Sequence, residues 1–155
     1  MKIITKSDIE TIELGKYIGA LLNDNTAVYL IGDMASGKTQ LSRGVAESLG
    51  LLEEFSSPTY TIINEYKNDS DVLYHMDAYR IEDISELDYI GFYDIYKNEK
   101  IIIEWADMIM SELENFGLWV EIKKSDSDFN LRHITVKSFD KQTDLILKKL
   151  EEMYE

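Results

Sequence analysis

The chain has 155 residues, enough for one domain with a real core. It is 45% apolar and 11% aromatic, which excludes a disordered chain, and the lack of cysteine excludes disulfide scaffolds, thiolate metal sites and cysteine nucleophiles. With 16 Lys and Arg against 30 Asp and Glu, the formal charge of −14 opposes unaided binding to nucleic acid or anionic lipid.

The first residues, Met1-Lys2-Ile3-Ile4-Thr5-Lys6, have no cleavage pattern, so no signal peptide is expected. No apolar run approaches the roughly 18 residues that span a bilayer, and the expected compartment is the cytoplasm. Ser7–Leu22 sets Ile9, Ile12, Leu14, Tyr17, Ile18, Leu21 and Leu22 near helical spacing, with Ser7 as N-cap and Glu10 three residues on. Ala27-Val28-Tyr29-Leu30-Ile31 is wholly apolar and ends in Gly32, as a buried parallel strand does. Gly37–Leu49 reads as a helix closed by Gly50.

Tyr60–Lys67 is rich in β-formers, and Asp69-Ser70-Asp71 predicts a turn into a strand over Val72–Met76. Ile84–Tyr96 reads as partly helical, broken near Gly91. Lys100–Glu104, with Ile101-Ile102-Ile103, is a second buried strand, and Ala106–Asn115 reads as a helix. Leu118–Lys123 and Leu131–Lys137 form a pair of strands, and Asp140–Met153 is an amphipathic helix with Ile146, Leu150 and Met153 on one face. Interleaved strands and helices give an α/β domain. The strand pairs at 60–76 and 118–137 predict antiparallel additions to a parallel centre.

Gly32-Asp33-Met34-Ala35-Ser36-Gly37-Lys38-Thr39 fits G-x-x-x-x-G-K-[ST] and lies between a predicted strand and a predicted helix. Gly32 lets the chain leave the strand sharply, and Gly37 lets main-chain N–H groups approach phosphate oxygens. The helix that follows aims its positive end at the same anion. Lys38 is expected to reach the β- and γ-phosphates, and the Thr39 hydroxyl to coordinate Mg²⁺. Two strand-end carboxylates, Glu104 and Asp77, are candidates for the metal shell or for ordering water. Ser57, Thr59 and Thr61 supply hydroxyls around Pro58, either as a nucleotide-sensing switch or as an ordinary polar turn. His75 reads as a hydrogen-bonded structural residue. Arg80 either touches phosphate or pairs with an acid such as Glu82, and Trp105 either stacks on a base or fills the core, with core the expectation.

Four segments in order, Gly32–Thr39, Ser57-Pro58-Thr59-Tyr60-Thr61, Tyr74-His75-Met76-Asp77-Ala78-Tyr79-Arg80 and Ile103-Glu104-Trp105, resemble the TsaE (YjeE) family of bacterial P-loop ATPases of tRNA threonylcarbamoyladenosine synthesis. The match runs from about Thr11 to Asp107. The resemblance implies a P-loop NTPase-type three-layer fold with a mixed, centrally parallel sheet flanked by helices. It implies Mg²⁺-dependent ATP hydrolysis, weak alone, serving TsaD and TsaB in the modification of adenosine 37 of tRNAs reading ANN codons.

By the same resemblance, Gly32, Asp33, Met34, Ala35, Ser36, Gly37, Lys38, Thr39 and Gln40 bind ATP, joined by Thr11 and Arg132. Thr39 and Glu104 hold Mg²⁺, Asp77 lies at the nucleotide, and Ser57, Thr59 and Thr61 behave as a switch. Lys38, Asp77 and Glu104 are the expected catalytic groups. The family loop usually has glycine where Ala35 stands and alanine where Ser36 stands. Ala35 must therefore keep a negative φ or carry strain. Two other classes fit a P-loop: a small-molecule kinase, for which no arginine-bearing lid is visible in the sequence, and a nucleotide-switched binding module without turnover.

Overall fold

Ala27–Ile31 and Ile101-Ile102-Ile103 carry apolar side chains on both faces, so both segments need cover on both sides. A computed structural model, which describes residues 1–55 and 61–154, places them side by side. Its strands are β1 (Lys2–Thr5), β2 (Ala27–Ile31), β3 (Ile63–Lys67), β4 (Val72–Asp77), β5 (Lys100–Glu104), β6 (Leu118–Lys124) and β7 (Arg132–Ser138). Its helices are α1 (Asp8–Leu21), α2 (Lys38–Ser48), α3 (Glu86–Tyr89), α4 (Phe92–Ile95) and α5 (Lys141–Met153). Two 3-10 helices, Ala78–Arg80 and Ala106–Glu112, follow β4 and β5.

Among the described residues the strands form one seven-stranded sheet in the order β1-β7-β6-β2-β5-β4-β3. β6, β2, β5 and β4 are parallel to their neighbours in that series, while β3, β7 and β1 pair antiparallel. This is the predicted parallel centre with antiparallel additions.

Alternation along β2 divides the core in two. Val28 and Leu30 pack with Leu14 and Ile18 of α1, Leu41 and Val45 of α2, and Ile146 and Leu150 of α5. Ala27 and Tyr29 pack on the other face with Leu87, Phe92, Ala106 and Ile109. The helices therefore form layers on both sides of the sheet. No helix among the described residues is long and apolar enough to cross a membrane.

α1 begins as its sequence predicts: the Ser7 side chain accepts from the Glu10 N–H at 3.2 Å, while Glu10 Oε2 accepts from the Lys6 N–H at 2.7 Å. It packs closely on α2 because glycines line the contact. A Cβ on Gly44 would sit 2.0 Å from the Ile12 carbonyl oxygen, and one on Gly15 2.2 Å from that of Leu41. Since both obstacles are backbone, only separation of the helices relieves the clash. Gly44→Ala is expected to cost about 2–3 kcal/mol and to lower Tm by roughly 5–10 °C in a thermal melt followed by circular dichroism. An unchanged Tm would mean that the helices do not depend on this approach.

Several expectations need correction. β1 was not predicted. Its four residues form an edge strand with one buried position, Thr5, too short for any period to register. The predicted helix at Ala106–Asn115 is a 3-10 segment ending at Glu112, kinked at Ile109 (φ −122°, ψ 27°). Ile84–Tyr96, by contrast, is as expected: helical only in part, as α3 and α4 of four residues each, broken at Gly91. The predicted strand from Tyr60 is described from Thr61 onward, with β3 starting at Ile63.

Candidate functional site

β2, β4 and β5 run parallel and end at the same edge of the sheet, where open α/β sheets bind ligands. Three groups are delivered there by chain connectivity alone. The loop Gly32–Gly37 leaves β2, Asp77 ends β4 and Glu104 ends β5, with Asp77 and Glu104 opposite each other in register. β7 is antiparallel to β6, so its first residue, Arg132, lies at this edge as well. β1 leads into α1 at the same end, since Thr5 pairs with Arg132.

The loop turns through three residues with positive φ: Gly32 (157°), Ala35 (62°) and Gly37 (118°). The strained alternative expected for Ala35 is the one adopted, a left-handed conformation that costs an alanine about 1–2 kcal/mol. Gly37 is the N-cap of α2, and no side chain caps it. No acidic residue occupies the first turn of α2, so its N–H groups and positive dipole end remain open to an anion. A Cβ on Gly37 would meet Arg132 Nε at 3.0 Å and Thr11 Cγ2 at 3.7 Å, so the loop is packed from behind by those two residues.

Lys38 is only 5% exposed. Its Nζ donates to the carbonyl oxygens of Gly32 (2.6 Å) and Asp33 (2.8 Å), contacts Ser36 Oγ at 3.4 Å, and lies 4.3 Å from the centre of the Trp105 ring. Burial pulls the ammonium below the ordinary lysine range, opposed by the carboxylates of Glu104, Asp33, Asp77 and Asp107. The Thr39 hydroxyl donates to Glu104 Oε1 at 3.2 Å, and the other carboxylate oxygen meets His75 Nε2.

A cavity of about 940 Å³ opens over this arrangement. Of the predicted residues, Met34, Ala35, Ser36, Gly37, Lys38, Thr39, Gln40, Asp77, Glu104 and Arg132 line it. Gly32 and Asp33 stand behind the wall and present their carbonyls to Lys38. Thr11 is fully buried, its hydroxyl bonded to Thr5 Oγ1 at 2.8 Å and to the Ser7 carbonyl at 3.2 Å. Thr61 hydrogen-bonds Asn64 Oδ1 at the start of the β3 hairpin; Ser57 and Thr59 lie outside the described residues.

Of the two roles open to Arg80, pairing with an acid is seen, with Asp77 (Nε to Oδ2, 3.4 Å). Trp105 has a left-handed backbone (φ 58°) that turns its ring to the cavity wall, against Tyr79 at 4.8 Å, so core filling is only part of its role. Sequence reasoning missed Asp8, Tyr79, Glu82 and Lys124 as lining residues. Asp8 pairs with Arg132 Nη2 at 3.0 Å, a contact that only the β1–β7 pairing creates. Lys124 ends β6 and left no local signal.

The donors suit Mg²⁺, which takes one or two protein oxygens and completes its shell with phosphate and water. Thr39 and Glu104 supply hard oxygens side by side, and no cluster of three or more His, Asp or Glu able to cage a cation occurs among the described residues.

A glycine-bounded loop between a central strand and an uncapped helix, with a lysine folded beneath it, defines a protein of the P-loop class. The model of a family described as "Threonylcarbamoyl adenosine biosynthesis protein TsaE" matches residues 5–134. The chain belongs to the TsaE family. It is 33% identical over 151 residues to the tRNA threonylcarbamoyladenosine biosynthesis protein TsaE of Bacillus subtilis (strain 168), covering 97% of this chain and 93% of that one. The protein of the same name from Treponema pallidum (strain Nichols) is 33% identical over 124 residues, covering 79% and 91%. The crystal structure of Bacillus subtilis YdiB matches with a TM-score of 0.79 at 27% identity, over 100% of this chain and 96% of that one.

Proposed function

We propose that this chain binds ATP with Mg²⁺ in the cavity over α2, hydrolyses it slowly, and acts in tRNA threonylcarbamoyladenosine biosynthesis beside TsaD- and TsaB-type partners in the cytoplasm. The observation that carries the reading is the convergence of the open α2 N-terminus, buried Lys38 and the Thr39–Glu104 pair on one cavity. The loop from Gly32 to Gln40 surrounds the phosphates with main-chain N–H groups. Arg132 and Thr11 hold Gly37 from behind, and Arg132 Nε fixes the Ser36 carbonyl at 2.8 Å.

Lys38 swings from the Gly32 and Asp33 carbonyls to the terminal phosphates and stabilises the charge that develops on the transferring group. Thr39 and Glu104 hold Mg²⁺, with Asp77 beside them; the ion neutralises phosphate charge. Glu104 or Asp77 orients the attacking water. Both arginines of the cavity wall are tied to protein groups, Arg132 to loop carbonyls and Asp8, Arg80 to Asp77. Neither is placed as an arginine finger, a feature worth about 10³–10⁵ in rate, which agrees with slow solitary turnover. A charge of −14 favours docking on basic protein surfaces and leaves contact with tRNA to partners.

Calorimetry with ATP and phosphate release with and without partner proteins test the reading together. Mg²⁺-dependent binding and a slow release that partners accelerate are expected. Failure to bind ATP would reject the site, and phosphoryl transfer to a nucleoside would make the protein a kinase instead.

A further inference from the structure

Glu104 is gripped from the sheet side as firmly as from the cavity side. Ile102, Leu73 and Tyr66 belong to the core beneath α1, α2 and α5, so by strand alternation Glu104, His75 and Asn64, each two residues along, face the same way. On that face a line of polar contacts crosses three strands. Glu104 Oε2 meets His75 Nε2, His75 Nδ1 lies 3.0 Å from the Tyr66 hydroxyl, and the Tyr66 hydroxyl lies 3.5 Å from Asn64 Nδ2.

We propose that His75 and Tyr66 are positioning residues for Glu104, orienting its carboxylate so that Oε1 is presented to Thr39 and the Mg²⁺ of the nucleotide complex. The proposal rests on the reading of Glu104 as a metal ligand. A carboxylate only accepts, so Nε2 carries the hydrogen of the His75–Glu104 contact. The Tyr66 hydroxyl, which can donate or accept, meets Nδ1 on the far side of the ring and so fixes the ring's orientation. The ring plane is held by Phe55, stacked at 5.4 Å and 14°. His75 is fully buried on the face of β4 that Leu73 gives to the apolar core, so packing alone does not call for an imidazole here. With Oε2 occupied, the carboxylate has lost its rotation, and one oxygen is left for the cavity. Partners of this kind behind a metal-binding group typically change metal affinity by 10–100-fold.

The test is calorimetric titration of the full chain with ATP at stepped Mg²⁺ concentrations, reading the Mg²⁺ concentration that gives half of the full tightening. His75→Leu, which leaves Oε2 without a donor, is expected to raise that midpoint about ten-fold. Tyr66→Phe keeps the ring and loses the hydroxyl, and is expected to raise it about three-fold. His75→Gln, whose amide N–H can reach Oε2, is expected to restore a midpoint near the wild type. ATP affinity without Mg²⁺ stays as in the wild type for all three, a split that a merely structural lesion does not give.

Unchanged midpoints in His75→Leu and Tyr66→Phe, with Glu104→Gln raised, overturn the positioning role alone. An unchanged midpoint in Glu104→Gln overturns instead the metal-ligand reading beneath it. Should His75→Leu fail to fold, the other two decide: a raised midpoint in Tyr66→Phe with a near-normal one in His75→Gln supports the role, and any other pair overturns it.

Discussion

Lys38→Ala is expected to weaken ATP binding by about 100-fold or more in calorimetry, with the Mg²⁺ concentration held constant. Charge-assisted hydrogen bonds contribute about 1.5–3 kcal/mol each, and a lysine that reaches two phosphates makes at least one of them in a site with little competing water. About 3 kcal/mol corresponds to the predicted loss. The same variant can be read by thermal melting. A ligand at 100 times its Kd stabilises the native state by about 2.7 kcal/mol, so ATP should raise the wild-type Tm by roughly 5–10 °C and leave the variant unmoved.

In the absence of ATP the variant should stay close to the wild type. The carbonyls of Gly32 and Asp33 lose their donor, which costs about 1–3 kcal/mol, but the fold no longer buries an ammonium at 5% exposure. These effects oppose each other. A variant that unfolds outright, or one that binds ATP as tightly as the wild type, would reject the role given to Lys38.

The parts of this site that were legible in the sequence are those fixed by local physics. β2 and β5 announce themselves as apolar on both faces, Ser7 and Glu10 mark the start of α1, and Gly32 and Gly37 sit where the loop takes positive φ. Strand ends are legible too, which is why Glu104 and Asp77 stood out before their pairing in register was known. What was not legible depends on strand order. β6 lies beside β2 although most of the chain separates them, and nothing in either strand specifies the neighbour. Arg132 reaches the Ser36 carbonyl only because β7 returns antiparallel to β6, and Asp8 reaches Arg132 only because β1 adds to β7. Arg80 reaches Asp77 because the 3-10 turn Ala78–Arg80 folds it back on the strand end, a geometry that charge counting along the chain does not give. Ala35 was readable as a conflict between residue and backbone. Its left-handed φ of 62° says that the surrounding loop dictates the conformation and the alanine bears the strain.

Glu104→Gln is expected to keep most ATP affinity at high Mg²⁺ while reducing phosphate release by about 10²–10³, the loss typical of removing one preorganised electrostatic group from a transition state. The substitution is nearly isosteric, so it alters charge and hydrogen bonding with little change in packing around a residue that is 6% exposed. Its amide must present either its oxygen or its NH₂ to each neighbour. With the amide oxygen accepting from His75 Nε2, the NH₂ faces Thr39, whose hydroxyl must rotate from donor to acceptor, and the position that held Oε1 no longer offers a lone pair to the cavity. The cavity also loses one of the two carboxylates that face each other across β4 and β5, leaving Asp77, already bound to the Tyr79 N–H at 3.1 Å and to Arg80, as the remaining strand-end acid. If release in Glu104→Gln matched the wild type while binding held, Asp77 would be the carboxylate that orders water, and Asp77→Asn should then show the loss in its place. If the variant failed to release phosphate yet still joined its partners in an ATP-dependent complex, nucleotide-dependent recruitment and turnover would be separate properties of this site, the first belonging to the loop and Lys38 and the second to Glu104.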